Sequence, residues 1–181
     1  VEAVNNETLS NSTLQLEELS FKPYSLQGIN LPALKKLSII FGKKIDIEPL
    51  SALTSLQHLS ISAHGLGDIN INCEVISTLL NLKLLELRNL DSCNINFVQS
   101  LQKLEKICVF GCNVIDLQPL LQCSSLSQVE FGNNNKIDKK SIVGIVELIA
   151  KGIKYNGRGK VARQDGKITE LDCSQIKEIQ V

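Results

Sequence analysis

Six cysteines and two histidines are the side chains best able to bind a metal or act as nucleophiles in this 181-residue chain. Cys108 and Cys112 have a C-x3-C spacing, but no neighbouring Cys/His pair completes a zinc set. We therefore predict neither a metal site nor a cofactor. The eight residues are Cys73, Cys93, Cys108, Cys112, Cys123, Cys173, His58 and His64.

A cysteine protease-like pair would have to join Cys108 to His58. The repeat described below puts them two strands apart, about 9–10 Å, whereas such a pair needs about 3 Å. The glycine-containing segment 156–160 lacks the spacing and the strand–loop–helix context of a phosphate loop, so it indicates a basic turn. No catalytic residue is predicted, and the chain is not expected to be an enzyme.

The bulk composition favours stacked regular layers. The chain has 28 Leu, 20 Ile and 11 Val but only five Phe, two Tyr and no Trp. Nineteen basic residues balance nineteen acidic ones, so long-range attraction to nucleic acid or to an anionic membrane is not expected.

An apolar hexad of the form Leu-x-x-Leu-x-Leu recurs along the chain, and such repeats decide the fold. Successive copies start 22, 26, 22 and 22 residues apart, at Leu34, Leu56, Leu82, Leu104 and Leu126. Weaker copies occupy residues 16–21 and 168–173. Each hexad predicts a short strand with alternate side chains in a shared interior, because one unit cannot bury its apolar face without stacked neighbours. Seven such strands would form a concave parallel sheet.

The second half of each unit repeats as well. Residues 45–50 (IDIEPL) match residues 115–120 (IDLQPL). Asp46 and Asp116 are expected to turn the chain through Asx-type hydrogen bonds. Pro49 and Pro119 are expected to start a short helical or 3-10 return segment.

With these hexads and the Ile-Asp-Ile-x-Pro-Leu half, the chain resembles the leucine-rich repeat family. It is similar to the 22-residue class found in bacterial internalins and in the regulatory subunit of protein phosphatase 1. The resemblance covers roughly residues 14–137 and implies an α/β solenoid with a curved parallel sheet and short helical or 3-10 convex segments. The family's usual asparagine after the strand is present at Asn134 and replaced by Cys112 in the preceding unit. Gly42, His64 and Leu90 occupy that place elsewhere, which predicts a broken inner hydrogen-bond ladder.

The sequence divides into three parts. Residues 1–13 predict a flexible leader, residues 14–137 the repeats, and residues 138–181 a C-terminal cap. Within the cap we expect a helix from Asp138 or Ser141 to about Lys154, a loop at 155–160, and a hairpin on Asp165-Gly166. Residues 73–80 in the longer unit predict a fuller convex helix.

The cysteines also indicate a compartment. Extracellular members of the family staple their caps with cysteine groups, and the six cysteines here are scattered among the units instead. Buried free cysteines behave as small hydrophobes, which favours a reducing compartment. The sequons at Asn6 and Asn11 matter only if the chain is secreted.

The concave sheet face is the remaining candidate site. Large apolar side chains are unusual on a solvent-exposed sheet face and indicate a function for it. Charged residues around an apolar centre are typical of an interaction surface. The alternative is that the C-terminal hairpin covers some of them. The predicted partner-binding residues are Ile40, Phe41, His58, Leu84, Glu86, Arg88, Lys106, Phe110 and Glu130.

We therefore predict a non-enzymatic module that binds another protein on its concave face and is monomeric alone. By analogy it would be a bacterial effector or regulator in the cytoplasm (for an effector, the host cytosol). An alternative is the recognition part of a larger ligase or phosphatase complex whose catalytic domain is absent from this chain. A secreted adhesion protein is a weaker third reading.

Overall fold

The described part of the chain is dominated by one parallel sheet. The computed structural model describes residues 17–23, 25–43, 45–64, 71–90, 94–112, 116–132, 139–158, 163–164 and 167–168. Within these ranges seven strands pair in chain order. They are β1 (Glu18–Phe21), β2 (Lys36–Phe41), β3 (His58–Ala63), β4 (Leu84–Arg88), β5 (Lys106–Phe110), β6 (Gln128–Gly132) and β7 (Lys154–Arg158).

The hexads stack in register, as the repeat predicts. Leu37 pairs with Leu59, and the same rung continues through Leu85, Ile107 and Val129. All five are buried, and so are the leucines that start the hexads. Successive side chains of a strand point to opposite sides, so each coil closes one wall of its neighbour's core and leaves the other side of the sheet to solvent.

Short 3-10 helices return the chain behind the sheet. They are η1 (Glu48–Ala52), η2 (Cys73–Thr78), η3 (Asn96–Ser100) and η4 (Gln118–Gln122). Pro49 and Pro119 lie in the first turns of η1 and η4, as predicted. The fuller convex helix predicted at 73–80 is wrong, since η2 is a 3-10 segment of six residues.

Asx turns start these return segments. Asp46 Oδ1 accepts from Glu48 N at 3.0 Å, and Asp116 Oδ1 accepts from Gln118 N at 2.9 Å, as predicted. Asn72 and Asn94 make the same turn before η2 and η3. An amide oxygen serves as well as a carboxylate oxygen in this role, so the turn survives in the two units whose sequences depart from the Ile-Asp-Ile pattern.

At Leu90, one of the three places where the sequence predicted a gap, the inner hydrogen-bond ladder continues. Asn89, one residue before the expected place, donates from Nδ2 to Ala63 O at 3.3 Å. Its φ is 57°, in the left-handed region that Asn tolerates better than most residues. In the next coil Cys112 Sγ accepts from Leu90 N at 3.4 Å, so the thiol substitutes for an asparagine.

The helix α1 (Lys139–Ala150) links β6 to β7. It ends four residues earlier than predicted because Gly152, at φ 79°, terminates it in a Schellman motif. Gly152 N donates to Ile149 O at 2.9 Å and Ile153 N to Leu148 O at 3.1 Å. Ser141 lies inside the helix, and Asp138 lies outside the described residues. Among the helices described, none combines the length and apolarity that crossing a membrane requires.

The seventh strand is not the one that the hexads predicted. Lys154, predicted as the end of the helix, and residues 155–158, predicted as a loop, together form β7 and pair with β6. The copy at residues 168–173 begins in β9 (Lys167–Ile168), which pairs antiparallel with β8 (Arg163–Gln164). That pairing agrees with a hairpin, whose turn at 165–166 lies outside the described ranges.

Candidate functional site: the open sheet face

One side of the sheet faces away from the 3-10 helices, and we call it the open sheet face. The register between strands arranges its residues in three rows. The first row runs from β1 to β7 through Glu18, Lys36, His58, Leu84, Lys106, Gln128 and Lys154. The second row is Ser20, Ser38, Ser60, Glu86, Cys108, Glu130 and Asn156. The third row, from β2 to β6, is Ile40, Ser62, Arg88, Phe110 and Gly132.

Eight of the nine residues nominated from the sequence lie on this face and are partly exposed: Ile40, His58, Leu84, Glu86, Arg88, Lys106, Phe110 and Glu130. Phe41 does not. It is only 4% exposed and shares the buried side of β2 with Leu37 and Ile39. Strand alternation forbids Ile40 and Phe41 from facing the same side, so Phe41 is corrected to a core residue.

Arg88 and Phe110 form the centre of the third row. The Arg88 guanidinium carbon lies 5.0 Å from the centroid of the Phe110 ring, a cation–π geometry. Arg88 Nη2 also lies 3.6 Å from Glu86 Oε2. Glu86 Oε2 accepts a hydrogen bond from Ser60 Oγ at 3.0 Å. A hydroxyl group of β3, the charged groups of β4 and the aromatic ring of β5 thus contact one another across the sheet.

A second polar cluster joins β5 to β6. Lys106 Nζ donates to Glu130 Oε1 at 2.6 Å, and Gln128 Nε2 donates to the same oxygen at 2.9 Å. The hydrogen bond to Glu130 raises the pKa of Lys106 above its ordinary value. With Glu130 only 18% exposed, this pair is better shielded than the ion pair of Arg88.

Cys108 lies between the two clusters and is covered by them. Its side chain is 1% exposed although it points to the open sheet face. Burial, reinforced by the charge of Glu130, raises the pKa of the thiol to about 12. A thiol that keeps its proton at neutral pH is a poor nucleophile and a poor metal ligand. Over the described ranges, no three His, Cys, Asp or Glu side chains come together as a metal-binding group.

The open sheet face also has a pocket that the sequence reasoning missed. It has a volume of about 260 Å³ and lies over β1 to β4. Its floor contains three serines in one row, and its walls include His58, Leu84 and Glu86. The serines are Ser20, Ser38 and Ser60, the fifth residues of three successive hexads, so their alignment could have been read from the repeat. Only the residues around them show that this row of short side chains lies in a depression.

Comparisons with known proteins agree with this architecture. No protein-family model and no curated protein matches the chain. Among solved structures, an internalin (inlF) of Listeria monocytogenes str. 4b F2365 aligns at a TM-score of 0.50 and 20% identity, covering 89% of this chain and 52% of that one. An internalin C2 (inlC2) of the same strain aligns at a TM-score of 0.50 and 17% identity, covering 90% and 79%.

These likenesses show the fold. The chain is a leucine-rich repeat solenoid similar to those of internalins, as the sequence predicted. It spans about half the length of inlF.

Proposed function

We propose that this chain is a protein-interaction module that binds a partner protein on its open sheet face without chemistry of its own. The observation that carries the proposal is the third row, where Arg88 lies beside partly exposed Phe110 and partly exposed Ile40 lies two strands away, beyond Ser62. Apolar area beside a preorganised arginine is the composition of interface hot spots. Because Glu86 and Phe110 hold the guanidinium in place, little side-chain entropy remains to be lost when a partner binds.

The thiols support the non-enzymatic part of the proposal and its compartment. Cys73, Cys108, Cys112 and Cys123 are buried and form no disulfide among the described residues. Free thiols persist in a reducing compartment, so we place the module in a cytoplasm, which for an effector is that of the host. Mass spectrometry of the protein from its native source tests this. Free thiols with unmodified Asn6 and Asn11 support it, and disulfides or glycans overturn it.

Partner capture tests the binding face. The double variant Arg88→Glu/Phe110→Asp reverses the charge and removes the ring at the centre of the third row. Leu80→Asp is the matched control, because Leu80 lies two residues after the return segment η2 and is 58% exposed. Immobilised wild type and Leu80→Asp should retain a common set of proteins that the double variant loses, with unchanged circular dichroism. Equal capture by the double variant would refute the proposed face.

A further inference from the structure

The pocket over β1 to β4 is shaped by a change of side-chain size along the second row. Ser20, Ser38 and Ser60 are short, and the next residue in register is the much longer Glu86. Two strand spacings of about 4.8 Å make the serine floor roughly 10 Å long. The pocket is therefore a trough that runs across the strands and is closed at one end by a carboxylate.

The charges around the trough leave one acceptor available. Lys36 Nζ lies 3.2 Å from Glu18 Oε2, so those two lining residues neutralise each other. The hydrogen bond from Ser60 and the ion pair with Arg88 both involve Oε2 of Glu86. Among the described residues no side chain donates to Glu86 Oε1. A carboxylate has room for further donors on its second oxygen.

The walls suit a long aliphatic stem. Leu84 contributes an apolar wall beside the serine floor, and lysine and arginine bury their methylene stems along apolar surface while the charged end meets an acceptor. Glu86 is 25% exposed, and partial burial strengthens a charge-assisted hydrogen bond relative to one in open water. Serine hydroxyls can accept the remaining N–H groups of the cation.

We infer that this trough binds a lysine or arginine side chain of the partner protein, with its charged end on Glu86 and its stem along Leu84. The inference rests on the proposed function, since it assigns the chemistry of one contact made by that partner. An anionic group does not fit at the closed end, because it would meet the carboxylate of Glu86, while the lining lysine Lys36 is already paired with Glu18.

Nuclear magnetic resonance with short peptides tests the pocket directly. The probes are acetylated, amidated pentapeptides with a central Lys or Arg, and the same peptide with norleucine as the uncharged control. Titration to about 20 mM is needed, because one charge-assisted contact supports only millimolar affinity. The Lys or Arg peptide should shift the amide signals of Ser38, Ser60 and Leu84 saturably, and the norleucine peptide should not.

Two variants complete the experiment. Glu86→Gln keeps the shape of the side chain and removes its charge, and should weaken peptide binding by about tenfold or more. Glu105→Gln is the matched control, since Glu105 is an exposed carboxylate outside the three rows of the open sheet face and outside the trough, and this variant should bind the peptide as wild type does. The absence of saturable shifts, equal shifts with norleucine, or unchanged binding by Glu86→Gln would each overturn the inference.

Partner capture separates this inference from the proposed function. If Glu86→Gln captures the partner as well as wild type does while Arg88→Glu/Phe110→Asp loses it, the cation site is wrong and the binding face stands. If the double variant still captures the partner, the proposed face itself is wrong.

Discussion

Replacing Leu85 by alanine tests the alternation on which the open sheet face depends. Leu85 is fully buried and lies in register between Leu59 and Ile107, which are also fully buried. Truncation removes three carbon atoms, worth about 2.4 kcal/mol at about 0.8 kcal/mol per methylene. Packed rungs on both sides prevent collapse of the cavity, which raises the cost to about 3–4 kcal/mol.

The adjacent leucine supplies the control. Leu84 is one residue away on the same strand but lies on the open sheet face, partly exposed, so Leu84→Ala should cost about 1 kcal/mol or less. Urea unfolding followed by far-ultraviolet circular dichroism measures both free energies of unfolding. A thermal scan should show the melting temperature of Leu85→Ala lowered by roughly 6–16 °C, at about 2–4 °C per kcal/mol. Equal losses in the two variants would refute the assignment of inner and outer sides.

Two further results are expected. Gly111→Ala should lower the free energy of unfolding more than Gly152→Ala does, as measured by urea unfolding of the two variants. Both glycines have positive φ, but a Cβ at Gly111 collides with the Asn89 amide oxygen, whereas a Cβ at Gly152 meets nothing within 4 Å. The pKa of Cys108 is raised from 9.0 to about 12, so between pH 9 and pH 12 the thiol loses its proton in the unfolded chain but keeps it in the folded one. The contribution of Cys108 to the free energy of unfolding is therefore complete below pH 9 and falls as the pH rises from 9 towards 12. The loss of stability between pH 8 and pH 10 should therefore be smaller in Cys108→Ala than in wild type, and an equal loss would contradict the raised pKa.

The Asx turns and the sides of the strands could be predicted from the sequence because both depend on residues close together in the chain. Asp46 and Asp116 turn the chain through bonds to an amide two residues away, and a contact of that range is encoded by the residues themselves. The hexads are equally local, since alternation within six residues decides which side chains face inward. Eight nominated residues lie on the open sheet face for this reason, and Phe41 was misplaced because alternation was not applied to it.

The seventh strand could not be predicted from the hexad pattern. In register with β6, Val129 and Phe131 pair with Tyr155 and Gly157, and the chain around Lys154–Arg158 contains no Leu-x-x-Leu-x-Leu hexad. Lys154–Arg158 is a strand because β6 offers it an edge and because the Schellman motif at Gly152 ends α1 and turns the chain towards that edge.

The sequence by itself determined the solenoid, because each coil repeats the same inward and outward choices and needs only an identical neighbour to be buried. The tertiary structure alone decided what the open sheet face contains. The contact of Arg88 with Phe110, the hydrogen bond from Ser60 to Glu86, the covering of Cys108 and the serine trough all join residues from different coils, more than twenty positions apart along the chain for the first two. Such contacts depend on the register between strands, and that register is fixed only when the apolar sides of all the coils pack together.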